Sequence, residues 1–405
     1  MKKKMIYDSI LNIIATSLPL IILQLIILPI IGTILGNSKY GLMVTLVSLT
    51  TLISLPLGNV LNNVRLLENE NYQKNGLSGD FNVLLVNSII INSILVIVGT
   101  LYYEDHPSFM NIILILGISC LSLVREYLIV SFRLSLNYKG ILVNNIILGI
   151  GYLFGFLFFY MFGYWQLIYI VGTFFSLLYI IKKSNLLKEG FATTILFKKT
   201  SYKAVVLFSS TFMKTVLSYA DKLILFPLLG PTAVSVYYSA TVLSKLITRV
   251  ITPVTSVMLS YLAKMQEFKM KHLVILMSLM TGIGIVGYFI IMAISEPMLY
   301  LLYPQWATES AQLISVTAAT TVVDLISSII NPIILRFKNI NWQLGISGSN
   351  LIITVLAVFI FYHLYGLLGF CIGMLISNII KLIMMIFILL LNNGKVKKNE
   401  SMIYE

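Results

Sequence analysis

The hydrophobic and polar positions of the chain form long apolar runs separated by short polar segments. A helix of about 20 apolar residues is long enough to cross the roughly 30 Å hydrocarbon core of a bilayer. The chain has twelve runs of about that length, so the pattern predicts twelve membrane-spanning helices, called spans 1 to 12 below. They cover residues 9–35, 41–64, 82–103, 109–132, 141–162, 165–181, 204–229, 232–262, 273–295, 308–335, 343–364 and 366–391.

The composition excludes a soluble globular protein. Of the 405 residues, 58% are hydrophobic and only 11% are Asp, Glu, Lys or Arg, and the mean hydropathy is +0.95. A soluble domain has about 25% charged residues. The predicted fold class is therefore an all-α polytopic membrane protein with twelve transmembrane helices.

The basic residues are concentrated on one side of these spans. Twenty-one of the 28 Lys and Arg residues lie in segments on the same side as the N-terminus, and only Lys39 lies in a segment on the opposite side. Cytoplasmic segments of membrane proteins carry the excess of Lys and Arg, so both termini are predicted to be cytoplasmic. This sorting explains most of the net charge of +13, and we therefore expect no nucleic-acid partner.

Neither the N-terminal run nor the cysteines indicate another class of protein. The run that follows Lys2, Lys3 and Lys4 is longer than the core of a secretory signal peptide, so it is predicted to remain as the first span. Cys120 and Cys371 each lie inside an apolar run, which predicts neither a disulfide nor a metal site. We expect no cofactor.

The longest polar segment, residues 182–203, divides the chain into two halves of six spans. The predicted organisation is an N-terminal bundle over 1–181, a cytoplasmic linker over 182–203 and a C-terminal bundle over 204–405. Lysines and apolar residues in the linker fit either a surface helix against anionic lipid head groups or a solvated connection. Similar turns after the first span of each half, LGNSKYGL at 35–42 and LGPTAVSVY at 229–237, suggest an internal repeat of the kind that transporters contain.

The outer segments are too short to hold a soluble catalytic domain. None of their acidic and histidine residues is paired with a nucleophile or with a set of metal ligands. These residues are Glu104, Asp105, His106, Glu296 and Glu309. No nucleotide-binding glycine motif of the GxxxxGK type occurs either. These observations disfavour a membrane glycosyltransferase or polymerase, and the protein is predicted not to be an enzyme.

Nine charged residues interrupt the apolar runs, where an unpaired charge costs about 2.5–3.5 kcal/mol at the bilayer centre. Spacings of three and four place several of them on shared polar helix faces. With Glu126 set aside, eight of them are candidate substrate-binding residues: Arg125, Lys214, Asp221, Lys222, Lys245, Arg249, Asp324 and Lys381.

Two interpretations of these charges stay open. The polar faces can meet around a basic, water-filled central cavity that binds an anionic substrate. Alternatively, Asp221 neutralises a neighbouring lysine, while Arg125, Lys245 and Arg249 extend from the cytoplasmic halves of their spans toward the head groups.

The segment YADKLILFPLLGPTAVSVYYSAT, which begins at Tyr219, resembles the seventh-helix signature of Wzx-type polysaccharide flippases. In that family a polar pair precedes an LG-P turn and a tyrosine-bearing eighth helix. Asp221 and Lys222 match the polar pair, and the segment LGNSKYGL resembles the corresponding turn of the first half. The family belongs to the multidrug/oligosaccharidyl-lipid/polysaccharide (MOP) exporter superfamily. The resemblance implies two six-helix bundles arranged in a V and transport by alternating access.

The resemblance also implies a function. Members of this family move undecaprenyl-pyrophosphate-linked oligosaccharides across the bacterial plasma membrane for surface polysaccharide such as capsule or O-antigen. The expected partners are the lipid-linked oligosaccharide and membrane lipids, with H⁺ or Na⁺ as candidate coupling ions and a polysaccharide polymerase as a candidate protein partner. Two alternatives lie in the same superfamily. A cation-coupled multidrug exporter would favour intramembrane carboxylates over lysines, and a peptidoglycan-precursor flippase often has additional helices.

Overall fold

A computed structural model describes residues 2–262, 270–338 and 341–390, and all regular structure in these ranges is helical. A π-helical turn at Ile22–Ile27 joins the first two helices. The α-helices are α1 (Lys2–Ile21), α2 (Leu28–Lys74), α3 (Asp80–Tyr103), α4 (Phe109–Leu128), α5 (Val130–Leu134), α6 (Tyr138–Phe162), α7 (Gln166–Lys183), α8 (Phe197–Leu262), α9 (Met270–Leu302), α10 (Ala307–Phe337) and α11 (Asn341–Leu390).

Three of the long helices are interrupted by residues with non-helical backbone angles. The interruptions lie at Gly36 in α2, at Gly230 in α8, and at Tyr365 and Gly366 in α11. Within the described residues, nine helices are long and apolar enough to cross a membrane, and with these three divided they provide twelve spans. Each of the twelve overlaps a predicted span, so the prediction of an all-α polytopic membrane protein is confirmed.

The chain packs as two compact units, residues 1–234 and residues 235–405, called unit 1 and unit 2. In unit 1, α6 packs against α1 and α7, and α4 packs against α2 and α7. In unit 2, α10 packs against α9 and α11. Span 7 belongs to unit 1, although the sequence places the boundary between the halves before it at 182–203. The division into two six-helix bundles stays a prediction.

The surface of unit 1 has the apolar character that lipid contact requires. Four large side chains of α3 are about half exposed or more and recur at spacings of four, four and three, so they lie on one helix face. They are Ile90, Ile94, Val98 and Leu101. An exposed apolar stripe of this length would be a liability in water and is expected on a helix that faces hydrocarbon.

Residues 184–196 of the linker form neither a surface helix nor a free connection. Their helical structure is limited to a single turn, Leu186–Lys188. Arg65 of α2 forms a two-bond ion pair with Glu189, with Nη1–Oε2 at 2.7 Å and Nη2–Oε1 at 2.5 Å. Asp80 of α3 accepts hydrogen bonds from the backbone and the hydroxyl of Thr194, both at 2.6 Å. The linker is therefore fixed to the ends of α2 and α3.

Candidate functional site

A polar network inside unit 1 is centred on Arg125 of α4. Arg125 lies seven residues before the predicted end of span 4, which is about 10 Å along the helix. Its Nε donates to Ser176 Oγ at 2.7 Å, and its Nη2 donates to Asn145 Oδ1 at 2.6 Å. Because Asn145 lies on α6 and Ser176 lies on α7, the guanidinium connects three spans.

The acceptors around this guanidinium are neutral. Ser176 accepts from Arg125 and donates its own hydroxyl hydrogen to Asn144 Oδ1 at 2.8 Å. In the described part of the chain, Arg125 forms no ion pair with a carboxylate within 4.0 Å. The hydrogen bonds fix the guanidinium in place, but its positive charge has no directly bonded counter-charge.

Two donors in this network lack an acceptor among the described residues. Asn144 is fully buried, and its Nδ2 makes no hydrogen bond. Arg125 Nη1 also makes none, because the bonds of this side chain use Nε and Nη2. A buried donor without an acceptor, here Asn144 Nδ2, costs about 1–3 kcal/mol. A fixed cation with free donors beside it is an arrangement suited to a phosphate oxygen or another oxyanion.

Glu126, the next residue, is directed at α2. A Cβ atom placed on Gly58 would lie 2.7 Å from Glu126 Cβ and 2.8 Å from the carbonyl oxygen of Leu123, so α2 and α4 touch at this level. The carbonyl oxygen of Glu126 accepts a hydrogen bond from Asn62 Nδ2 at 2.8 Å. This contact positions α4, and with it Arg125, against α2.

Asp221 and Lys222 form a buried ion pair in unit 1. Lys222 Nζ lies 3.3 Å from Asp221 Oδ1. The side chain of Lys222 is only 7% exposed, and that of Asp221 is only 3% exposed. The ammonium also lies 5.6 Å from the ring centroid of Tyr219, within the range of a cation–π interaction. The geometry supports mutual neutralisation of these two charges, one of the two interpretations that the sequence leaves open.

Unit 2 contains a second intramembrane pair. Lys381 Nζ on α11 lies 3.2 Å from Asp324 Oδ1 on α10, and Asn378 Nδ2 donates to Asp324 Oδ2 at 3.2 Å. These polar side chains of spans 10 and 12 therefore face each other. Lys245 Nζ, on the part of α8 in unit 2, lies 5.6 Å from the ring centroid of Tyr237.

The structure describes the side chains of six of the eight predicted substrate-binding residues. The side chains of the other two, Lys214 and Arg249, fall outside the described part of the chain, although their backbones belong to α8. Sequence reasoning missed the partners of Arg125, which are Asn144, Asn145 and Ser176. Polar residues inside the apolar spans 5 and 6 were the available signal.

Comparison with known proteins shows similarity at the level of structure. No protein-family model matches the chain, and no curated protein matches it by sequence. The lipid II flippase MurJ in an inward closed conformation matches with a TM-score of 0.61 at 14% identity, over 95% of this chain and 86% of that chain. A Vibrio cholerae MATE transporter matches with a TM-score of 0.61 at 14% identity, over 96% and 97%. An outward-facing multidrug resistance MATE family transporter of the MOP superfamily matches with a TM-score of 0.59 at 15% identity, over 94% and 93%.

These matches extend over nearly the whole chain. The protein therefore has the fold of the MOP-superfamily transporters and is a multi-pass membrane protein. The three neighbours are transporters and a flippase rather than enzymes. This fold agrees with the one that the sequence resemblance implies.

Proposed function

We propose that this protein is a flippase that translocates undecaprenyl-pyrophosphate-linked oligosaccharide repeat units across the bacterial plasma membrane for surface polysaccharide export. Its fold is shared with a lipid II flippase, and the segment from Tyr219 resembles the Wzx-type signature. The single observation that carries the proposal is Arg125, a cation inside a span that is hydrogen-bonded only to neutral side chains.

The chemistry of the substrate explains why such a cation is useful. A pyrophosphate is too strongly hydrated to enter hydrocarbon without partners that replace its water. Arg125 is held by Nε and Nη2, so Nη1 can donate to a phosphate oxygen, and Asn144 Nδ2 is a second donor in the same network. The planar guanidinium presents its donors in a fixed fork that matches the oxygens of a phosphate.

The remaining predicted residues have secondary roles in this proposal. Lys222 and Lys381 are each paired with an aspartate and can bind phosphate only when that pair opens. Lys214, Lys245 and Arg249 stay candidates for additional phosphate contacts along α8. H⁺ or Na⁺ is proposed as the coupling ion, a polysaccharide polymerase as the protein partner, and the cytoplasm as the location of both termini.

The two rival transport functions predict different intramembrane charges. A cation-coupled drug exporter needs carboxylates that are available to a cationic drug, whereas Asp221 and Asp324 are both bonded to lysines here. A lipid II flippase would bind the same pyrophosphate but a different sugar and peptide. Substrate preference therefore separates the proposal from both rivals.

The test uses the purified protein in proteoliposomes that hold a fluorescent undecaprenyl-pyrophosphate oligosaccharide, fluorescent lipid II or a fluorescent cationic drug. A membrane-impermeant reductant quenches the outer lipid probes, and dye efflux reports the drug. We expect rapid loss of the protected fraction for the lipid-linked oligosaccharide alone, with the recovered lipid unchanged in mass. Preferential transport of lipid II or of the drug, or elongation or cleavage of the oligosaccharide, would replace the proposed function by the corresponding rival.

A further inference from the structure

A second polar network lies at the end of unit 1 where α3 ends and α4 and α7 begin. Gln166, the first residue of α7, is 1% exposed, and its Nε2 donates to Asn111 Oδ1 at 2.7 Å. Asn111 of α4 donates from Nδ2 to Glu104 Oε1 at 2.9 Å. Glu104 directly follows α3, so the three side chains connect three helix ends. Nothing in the proposed flippase function uses this network.

The direction of these hydrogen bonds follows from the carboxylate. Glu104 Oε1 accepts from the amide nitrogen of Asn111, so that nitrogen faces the carboxylate. Asn111 Oδ1 is then left to accept from Gln166, which directs Gln166 Nε2 into the network. The remaining atoms at the two ends of the chain of bonds, Glu104 Oε2 and Gln166 Oε1, are both acceptors. Both are buried and have no donor among the described residues.

A carboxylate oxygen and an amide oxygen that are buried without donors are groups that bind a cation rather than an anion. In the described part of the protein, Glu104 forms no ion pair with Lys, Arg or His within 4.0 Å. Its neighbours Asp105 and His106 are exposed. We propose that Glu104 Oε2 and Gln166 Oε1 coordinate a small monovalent cation of the sodium class, which ties the ends of α3, α4 and α7 together.

The ligand set favours a monovalent cation. Ca²⁺ is usually bound by several carboxylates that balance its charge, and Mg²⁺ requires near-ideal octahedral geometry. Here a single carboxylate and an amide oxygen supply the charge and the dipole. Transition metals prefer nitrogen and sulfur ligands, and no group of three or more His, Cys, Asp or Glu residues that could hold a metal occurs among the described residues.

The test uses the full-length protein in detergent micelles, titrated with NaCl against choline chloride at constant ionic strength. A cation that binds only the folded state raises the unfolding temperature as its concentration increases. Trp165 precedes Gln166 and packs edge-on against Tyr169, with ring centroids 6.1 Å apart. When the other two tryptophans, Trp306 and Trp342, are replaced by phenylalanine, the fluorescence of Trp165 reports the local environment. We expect a saturable increase in unfolding temperature of several degrees and a parallel change in tryptophan emission.

Variants locate the site. Glu104→Gln and Gln166→Leu should abolish the sodium-dependent difference, and Gln166→Glu should lower the sodium concentration of the half-maximal response severalfold. Asp105→Asn and Glu309→Gln remove exposed carboxylates and should leave the response unchanged. Each response is a difference within one variant, so a change in basal stability does not obscure it. Identical parental behaviour in sodium and choline, or a full sodium response in Glu104→Gln, would overturn the proposal.

Discussion

Gly36 and Gly230 have nearly the same unusual backbone conformation. Gly36 has φ 72° and ψ 178°, and Gly230 has φ 79° and ψ 175°. This region is essentially restricted to glycine, because a Cβ atom clashes with the backbone there. Each glycine follows the first span of a predicted half of the chain, within the two similar turns at 35–42 and 229–237. The shared conformation supports the internal repeat that the two turns suggest.

A side chain at either glycine is expected to destabilise the protein. Gly36→Ala and Gly230→Ala should each lower the free energy of unfolding by about 1–3 kcal/mol, because alanine must adopt a strained conformation. A Cβ at either position meets no atom within 4 Å, so the cost comes from the backbone and not from crowding. Denaturant unfolding in detergent measures it. Gly282→Ala, at an equally open position inside α9, is the control and should be neutral or stabilising. Equal effects at all three positions would contradict this explanation.

The contact between α2 and α4 at Gly58 should also be sensitive to an added methyl group, but for a steric reason. Gly58→Ala would place a Cβ 2.8 Å from the carbonyl oxygen of Leu123, which forces the two helices apart at the level of Arg125. We expect a loss of about 1–3 kcal/mol in unfolding free energy. Gly117→Ala on α4 approaches only a flexible methyl group, Ile170 Cδ1 at 3.4 Å, and should be neutral or slightly stabilising. A Gly58→Ala protein as stable as Gly117→Ala would show that the helices do not touch as described.

The ion pair between Arg65 and Glu189 should protect the linker from proteolysis. Both side chains are largely buried, and removal of one partner of such a pair typically costs 3–5 kcal/mol. Glu189→Ala should therefore increase the rate of trypsin cleavage in the linker at least tenfold in inside-out membrane vesicles. Glu70→Ala removes an exposed pair with Lys74 and should leave the rate unchanged, since exposed pairs contribute little. Unchanged cleavage of Glu189→Ala would mean that other contacts hold the linker.

Most of the fold could be predicted from the sequence because each span is a local property. A run of about 20 apolar residues forms a spanning helix wherever its neighbours lie, and the LG turns mark where α2 and α8 are interrupted. The attachment of the linker could not be predicted in this way. Arg65 and Glu189 are 124 residues apart in sequence, and no local spacing connects them.

The candidate site was only partly predictable for the same reason. Arg125 is visible in the sequence as a charge within an apolar run. Its neutral partners lie on α6 and α7, 20 and 51 residues further along the chain. The pairing of Asp221 with Lys222 was one of two open interpretations because adjacent residues in a helix need not face each other. Among the described residues, only the packing of the helices reveals which charges bond to a carboxylate and which bond to neutral side chains.

The orientation in the membrane can be measured independently of transport. In a background without Cys120 and Cys371, a cysteine at the exposed His106 should react with an impermeant thiol reagent added to intact cells. A cysteine at the exposed Lys198 should react only after the membrane is permeabilised. The sorting of Lys and Arg between the two sides of the spans is the basis of this expectation. The reverse labelling pattern would invert the predicted topology.

The role of Arg125 is the central claim, and charge and geometry can be separated by substitution. Arg125→Gln removes the charge, while Arg125→Lys keeps it but loses the planar fork that bonds Ser176 and Asn145. Lys139→Gln is the matched control, because it removes a positive charge from an exposed position at the start of α6. The proteoliposomes hold equal amounts of each variant. Only variants whose unfolding temperature equals that of the parental protein are compared.

The most direct measurement is the rate at which each variant flips a fluorescent undecaprenyl-pyrophosphate oligosaccharide in proteoliposomes. We predict a loss of at least tenfold for Arg125→Gln, an intermediate rate for Arg125→Lys and the parental rate for Lys139→Gln. The tenfold loss corresponds to about 1.4 kcal/mol, within the range of a single charge-assisted hydrogen bond to phosphate. Translocation by Arg125→Gln at the parental rate would contradict the account, because the guanidinium would then serve only to hold α4, α6 and α7 together.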